Sequence, residues 1–137
     1  MNKSNITEMG NEAIGKEGDY TRLFIYKIPK KNHDAILRLN RQFMDTLGKD
    51  GPLHMEFFCL SNNESLMPFT IIAKSIFANQ DDDVWMEIHS YRDRKHADKV
   101  QAKIENDEIM KPLCGQFGDL MTPNSEGIIG DFNRIKI

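Results

Sequence analysis

Two pairs of side chains have the types and spacing for acid–base chemistry. Glu87 and His89 lie two apart in 84-VWMEIHSY-91, and His54 and Glu56 lie two apart in 53-LHMEFFCL-60. A spacing of two puts both members of a pair on the same side of a strand. A carboxylate beside an imidazole fixes its tautomer and stabilises the imidazolium, which is the make-up of a general base with its orienting partner. His89 and His54 are therefore the candidate bases, and Glu87 and Glu56 the candidate orienting groups. Were the two strands neighbours, two His and two Glu would also form an alternative set for Zn, Fe or Mn. No spacing has the form of a metal signature, so neither a metal nor a cofactor is expected. A plainer account fits the same spacing: a polar face whose His–Glu contacts only satisfy one another.

Aromatic residues fall on the same phase as these pairs. Phe24, Tyr26, Phe58 and Trp85 offer planar area, and Tyr26 and Trp85 each add one polar atom, so they are candidate ligand-binding residues or interface residues. Cys59 and Cys114 sit inside apolar runs and read as buried free thiols rather than a disulfide. His96 and Arg94 fall on a charged helical run, where capping or ion pairing is the expected role. No glycine-rich phosphate loop, nucleophile elbow or paired CxxC is present.

These residues need strands and helices to hold them, and the hydrophobic pattern supplies both. The run 20-YTRLFIYKI-28 is aromatic and β-branched and ends at Pro29, a strand followed by a break. Asn32 is placed to cap a helix whose stripe is Ile36, Leu39, Phe43, Met44 and Leu47, closed by Gly48. Further strands are expected over 53–60, 69–77 and 84–91, with 61-SNNES-65 a loop and 79-NQDDD-83 a solvated turn. A helix over 93–107 carries a thin stripe of Ala97, Val100 and Ile104. A shorter one presents Met110, Leu113, Cys114 and Phe117, with Pro112 restricting its start. A last strand is expected over 127–137. The order β-α-β-β-β-α-β predicts an α+β protein, an antiparallel sheet with two main helices on one face, for which the ferredoxin-like plan is the natural member.

Composition narrows the function classes. The 137 residues fit one domain, and residues 1–18, rich in Asn, Glu, Gly and Lys, read as a flexible tail ahead of a single domain over 19–137. A net charge of −3 argues against nucleic acid or an anionic membrane as partner. No apolar run has the length of a membrane span, and the first residues lack the apolar core of a secretory signal. With two cysteines, the expected location is the cytoplasm.

Alternation then sorts the strand faces. Leu23 and Ile25, Met55, Phe57 and Cys59, and Val84, Met86 and Ile88 form wholly apolar sets, expected to meet the helices. The opposite sets mix Phe24, Tyr26, Phe58 and Trp85 with His54, Glu56, Glu87 and His89. That mixture suits neither open water nor a dry core. A second copy of the chain, packed sheet on sheet around a polar-lined cavity, would cover it.

Residues spread over about 20–135 resemble the YbaA-like family of uncharacterised bacterial and archaeal proteins, within the dimeric α+β barrel superfamily. The match is carried by Ile28 to Asn32 with Ala35, by Gly51 and Leu53, and by Gly130 and Phe132. Its longest part is Tyr91, Arg94, His96, Asp98, Val100, Ala102, Lys103 and Asp107. Where the family has a Met-Pro-Phe-Asp-Gly-Lys-Arg-like run, this chain reads 121-MTPNSEG-127. The resemblance implies a ferredoxin-like protomer, a homodimer through the sheets and no established activity. Two functional readings follow: a small-molecule-binding homodimer, or a cofactor-independent monooxygenase- or isomerase-like enzyme using a His/Glu pair.

Overall fold

The computed structural model describes residues 18–61 and 64–137. The expected tail, apart from Gly18, lies outside the described residues. Strand β1 (Tyr20–Pro29) runs into a 3₁₀ turn over Lys30–Asn32, begun by Lys30 N–H donating to the Asp81 carbonyl at 2.8 Å. Helix α1 (His33–Leu47) buries Ile36, Leu39, Asn40 and Leu47 along one stripe. Gly48 ends it with φ 50° and its N–H on the Met44 carbonyl, backbone that a Cβ would strain. Strand β2 (His54–Cys59), the one-turn helix α2 (Ile72–Ser75) and strand β3 (Asp82–Tyr91) follow. Helices α3 (Arg94–Asn106) and α4 (Met110–Leu120) and strand β4 (Ile128–Asn133) complete the fold.

The four strands form one antiparallel sheet in the order β2-β3-β1-β4. Two β-α-β halves interleave in this way in the ferredoxin-like plan, as expected from the order of elements. The register is continuous: Tyr26 faces Trp85, Phe24 faces Glu87, and Phe57 faces Glu87 from the other side.

One face of the sheet carries the core. Tyr26, Ile28 and Trp85 pack with Ile36, Leu39 and Leu47 of α1 and Met110 and Leu113 of α4. A smaller cluster joins Tyr20 and Tyr91 to Ala97 and Val100 of α3. Aspartates stand at the starts of α3 and α4, at the N-cap in α3 and two residues before the N-cap in α4. Asp93 Oδ1 accepts from His96 N–H at 2.8 Å, and Asp107 Oδ1 accepts from Ile109 and Met110 N–H at 2.7 and 3.1 Å. Pro112 is tolerated because it falls in the first turn of α4, where its missing N–H has no intrahelical partner to lose.

Several expectations are corrected. Residues 69–77 form no strand; Phe69 closes an isolated bridge with Leu66, and Ile72–Ser75 is a helical turn. The physical reason is that β2 pairs directly with β3, so this segment has no slot in the sheet. The expected hairpin turn over 79–83 is shorter and joins no two strands: Asp81 N–H on Asn79 Oδ1 at 2.9 Å holds a turn between a helical turn and β3, which already begins at Asp82. Asn32 holds the N-cap position of α1 as expected, but its side chain makes no capping bond; its Nδ2 instead donates to the Leu120 carbonyl at 3.1 Å and ties the end of α4 to the start of α1. Cys59 and Cys114 are exposed, not buried.

The largest correction concerns the faces. The mixed set of β1 and β3, not the apolar set, meets the helices. Leu23, Ile25, Met86 and Ile88 share the other face with Phe58, Ile128 and Phe132, the last three exposed at 43, 47 and 54%.

Candidate functional site

The site begins with Glu87 in the middle of β3, the central strand pair of the sheet. Its neighbours across the strands are Phe24 and Phe57, so its carboxylate rises into the layer between sheet and helices. A lone charge would be costly there, and the sequence supplies two partners. Tyr26, diagonally across on β1, is long enough to reach it, and its hydroxyl donates to Glu87 Oε1. His89, two residues along the same strand, brings Nε2 to 3.0 Å from Glu87 Oε2. The Glu87 and His89 side chains are 8 and 13% exposed, so this chain is largely shielded from water.

Electrostatics fix the state of the phenol. Burial pushes the Tyr26 phenol up first, and the Glu87 charge and hydrogen bond push it further. The Asn40 amide works weakly against the shift. Tyr26 is therefore a phenol, with its proton committed to Glu87. With Nε2 directed at the carboxylate, a neutral His89 carries its proton there and leaves Nδ1 as an acceptor. The Phe24 ring holds the imidazole from the side, centroids 4.8 Å apart. Phe117 of α4 meets Tyr26 edge-on at 4.9 Å.

These groups form one wall of a cavity of about 400 Å³ between the sheet and helices α1, α3 and α4. That is the lower end of the usual size for a small-molecule site. Most of the lining is apolar, including Phe24, Phe43, Met55, Ile104, Phe117 and Met121, and exposed Gln101 and Cys114 belong to it as well. Burial raises the Cys114 thiol, which disfavours the thiolate. Among the described residues, two buried side-chain polar atoms lack a partner: Asn40 Nδ2 and Trp85 Nε1. Asn40 lines the cavity; Trp85 does not.

Of the eight candidate residues, the structure brings Glu87, His89, Tyr26 and Phe24 together at this cavity. Trp85 shares their face but packs beneath, stacked on Tyr26 at 6.4 Å and tilted against His33 at 5.6 Å. His54, Glu56 and Phe58 are not part of the constellation. Met55 opposes His89 and Phe57 opposes Glu87, so the intervening His54, Glu56 and Phe58 project from the opposite face. The two-His, two-Glu metal set is thereby separated by the thickness of the sheet. Among the described residues no group of three or more His, Cys, Asp or Glu side chains is placed to hold an ion. The cavity also lies within one protomer, on the helix side, rather than on the open face of the sheet. Asn40 was missed by the sequence reading, although it stands four residues after Ile36 within the apolar stripe of α1.

A four-stranded antiparallel sheet with interleaved helices on one face defines a ferredoxin-like α+β protein. Residues 19–118 match the family described as a protein of unknown function, DUF1428, and the chain belongs to that family. No curated protein matches the sequence. Among solved structures, the chain is similar to a dimeric ferredoxin-like protein from an uncultured marine organism. The identity is 8%, the TM-score 0.60, and 90% of this chain and 93% of that one are covered. It is also similar to an antibiotic biosynthesis monooxygenase, at 13% identity and a TM-score of 0.54, covering 85% of this chain and 99% of that one. Among the described residues, no helix is long and apolar enough to cross a membrane.

Proposed function

We propose that the protein binds a small, largely apolar molecule in the cavity between sheet and helices, and that the Tyr26–Glu87–His89 chain holds or moves a proton on it. The observation that carries this reading is a single buried carboxylate holding both a phenol and an imidazole at the wall of an apolar cavity. Such a chain gives His89 a fixed tautomer and a counter-charge for the imidazolium, which is what a general base needs. His89 is then the base, Glu87 its orienting group, and Phe24 and Tyr26 ligand-contacting residues. Trp85 supports Tyr26 from behind. A cofactor-independent monooxygenase- or isomerase-like reaction is the catalytic form of the same reading. It is favoured by the His–Glu pair and by likeness of fold to an antibiotic biosynthesis monooxygenase.

The open sheet face belongs to a homodimer in this proposal. Leu23, Ile25, Met86 and Ile88 with Phe58, Ile128 and Phe132 make an apolar surface of the kind that marks a protein interface. A ferredoxin-like neighbour is itself dimeric. His54 and Glu56 fall at the margin of that surface, where subunit contact is their role. The YbaA-like kinship, the single domain over 19–137 with a tail before it, and a cytoplasmic setting are the remaining parts of the proposal.

The test is a fragment screen on the purified protein read by backbone amide NMR. Shifts should gather on residues such as Phe24, Phe43, Met55 and Phe117. His89→Ala should keep both the dimer and fragment binding while abolishing turnover of any true substrate. Shifts confined to the open face of the sheet, or dissociation of the His89→Ala protein into monomers, would refute the assignment.

A further inference from the structure

We infer that Asn40 is the hydrogen-bond donor that selects the ligand, and that the ligand is a neutral ring compound bearing a carbonyl oxygen and one O–H or N–H group. The inference rests on the cavity being the binding site. Its first support is position. Asn40 interrupts an otherwise apolar stripe of α1 between Ile36 and Leu39 on one side and Phe43 and Leu47 on the other. The residue is 5% exposed; its amide lies close enough to the Tyr26 hydroxyl to act on it, yet its Nδ2 makes no hydrogen bond of proper geometry. A buried donor without a partner is destabilising, a burden that a leucine of similar volume would avoid.

The second support is the hydrogen-bonding inventory of the cavity wall. The Tyr26 O–H is taken by Glu87, as is His89 Nε2. Gln101 and Tyr91 also line the cavity, but Asn40 Nδ2 is the lining donor that is buried without a partner, and it calls for an acceptor such as a carbonyl oxygen. His89 Nδ1 is the acceptor left over, and it calls for an O–H or N–H. The third support is charge. The lining contains the Glu87 carboxylate but no Lys or Arg, so a carboxylate or phosphate entering the cavity would meet repulsion with no cation to offset it. The volume of about 400 Å³ and the aromatic lining of Phe24, Phe43 and Phe117 suit a bicyclic skeleton.

Three bicyclic probes separate these points: 1-tetralone, naphthalene and 1-naphthoate, each titrated into the full chain and followed by the methyl resonances of Met55 and Met121. In the wild type, 1-tetralone should bind about tenfold more tightly than either of the others. Asn40→Leu should erase the preference for 1-tetralone over naphthalene while keeping naphthalene binding, and should raise the melting temperature. Asn40→Met, which likewise fills the position without a donor, should erase the same preference. Equal binding of 1-tetralone and naphthalene to the wild type, or a preference that survives both substitutions, would overturn the role of Asn40 and leave the cavity reading standing. Tightest binding of 1-naphthoate would overturn the neutral-ligand assignment. Failure of all three probes to move either methyl would overturn the inference and the cavity reading together.

Discussion

The hydrogen bond from Tyr26 to Glu87 is the contact on which the site depends, and a double-mutant cycle measures it. Tyr26→Phe removes one hydroxyl and leaves Glu87 Oε1, on a side chain 8% exposed, short of its donor. Hydrogen bonds to a charged group are worth about 1.5–3 kcal/mol, so the substitution should lower stability by about that much. Glu87→Gln keeps an acceptor for the phenol but removes the charge, and should cost about 1 kcal/mol on the same grounds. In the Tyr26→Phe, Glu87→Gln double variant the second loss has largely been incurred already, giving a coupling of about 1 kcal/mol. Against a total stability of about 5–15 kcal/mol that is a measurable share. Urea unfolding at pH 7, followed by fluorescence of Trp85, the chain's single tryptophan, reads all four proteins at one protomer concentration. Energies that add to within about 0.5 kcal/mol would show that the two side chains do not act as a pair, and the argument for a proton-holding chain would fail.

Alkaline stability follows from the same burial. Tyr91 is pushed up to about 12 by burial, and Tyr26 is raised as well, so both stay protonated in the fold at pH values where the unfolded chain ionises near pH 10. Their stabilisation is therefore complete below pH 10 and lost above it, by about 1.4 kcal/mol per pH unit for each tyrosine; a flat urea midpoint from pH 10 to 11.5 would refute this. At the acid end, Arg22 holds the Asp131 carboxyl down at about 2, so its contribution is present above about pH 4 and fades as the pH falls towards 2. That contribution is below about 1 kcal/mol because Asp131 is an exposed residue of the edge strand β4, and Asp131→Asn should flatten this part of the stability profile. Ile88→Glu places a carboxylate on the open face opposite Glu56, the proposed subunit contact, and should give monomers in sedimentation while probe-induced shifts at Met55 persist. Unchanged sedimentation would place the subunit contact elsewhere.

Much of this architecture was legible in the sequence because it is set by local periodicity. The alternation in 84-VWMEIHSY-91 marks β3, and the Ile36, Leu39, Phe43, Leu47 stripe marks α1. Three things were less legible, each for a physical reason. The segment 69–77 is β-branched and aromatic, yet strand propensity has no effect where no sheet edge is offered. The phase of β2 relative to β3 is a property of long-range register, and grouping His54 and Glu56 with Glu87 and His89 by their polarity put them on the wrong side. Finally, the mixed set was judged too polar for the helix-facing layer. Tyr26, Glu87 and His89 are accommodated there because they satisfy one another, so their burial is counted per network rather than per residue.

The strict alternation of β1 and β3 has a bearing on how this chain tolerates change. Neighbouring positions serve opposite sides of a sheet one residue thick, so Glu87 belongs to the cavity and Ile88 to the open face. Deleting any single residue from either strand would exchange the two sets downstream, burying the apolar face against the helices and exposing the carboxylate and imidazole. Length is thus tightly constrained in these strands and loosely constrained in the excursion between β2 and β3, where Leu66, Met67, Phe69 and Phe77 stand exposed outside the sheet. Insertions and deletions among relatives should collect in that excursion, leaving β1 and β3 constant in length.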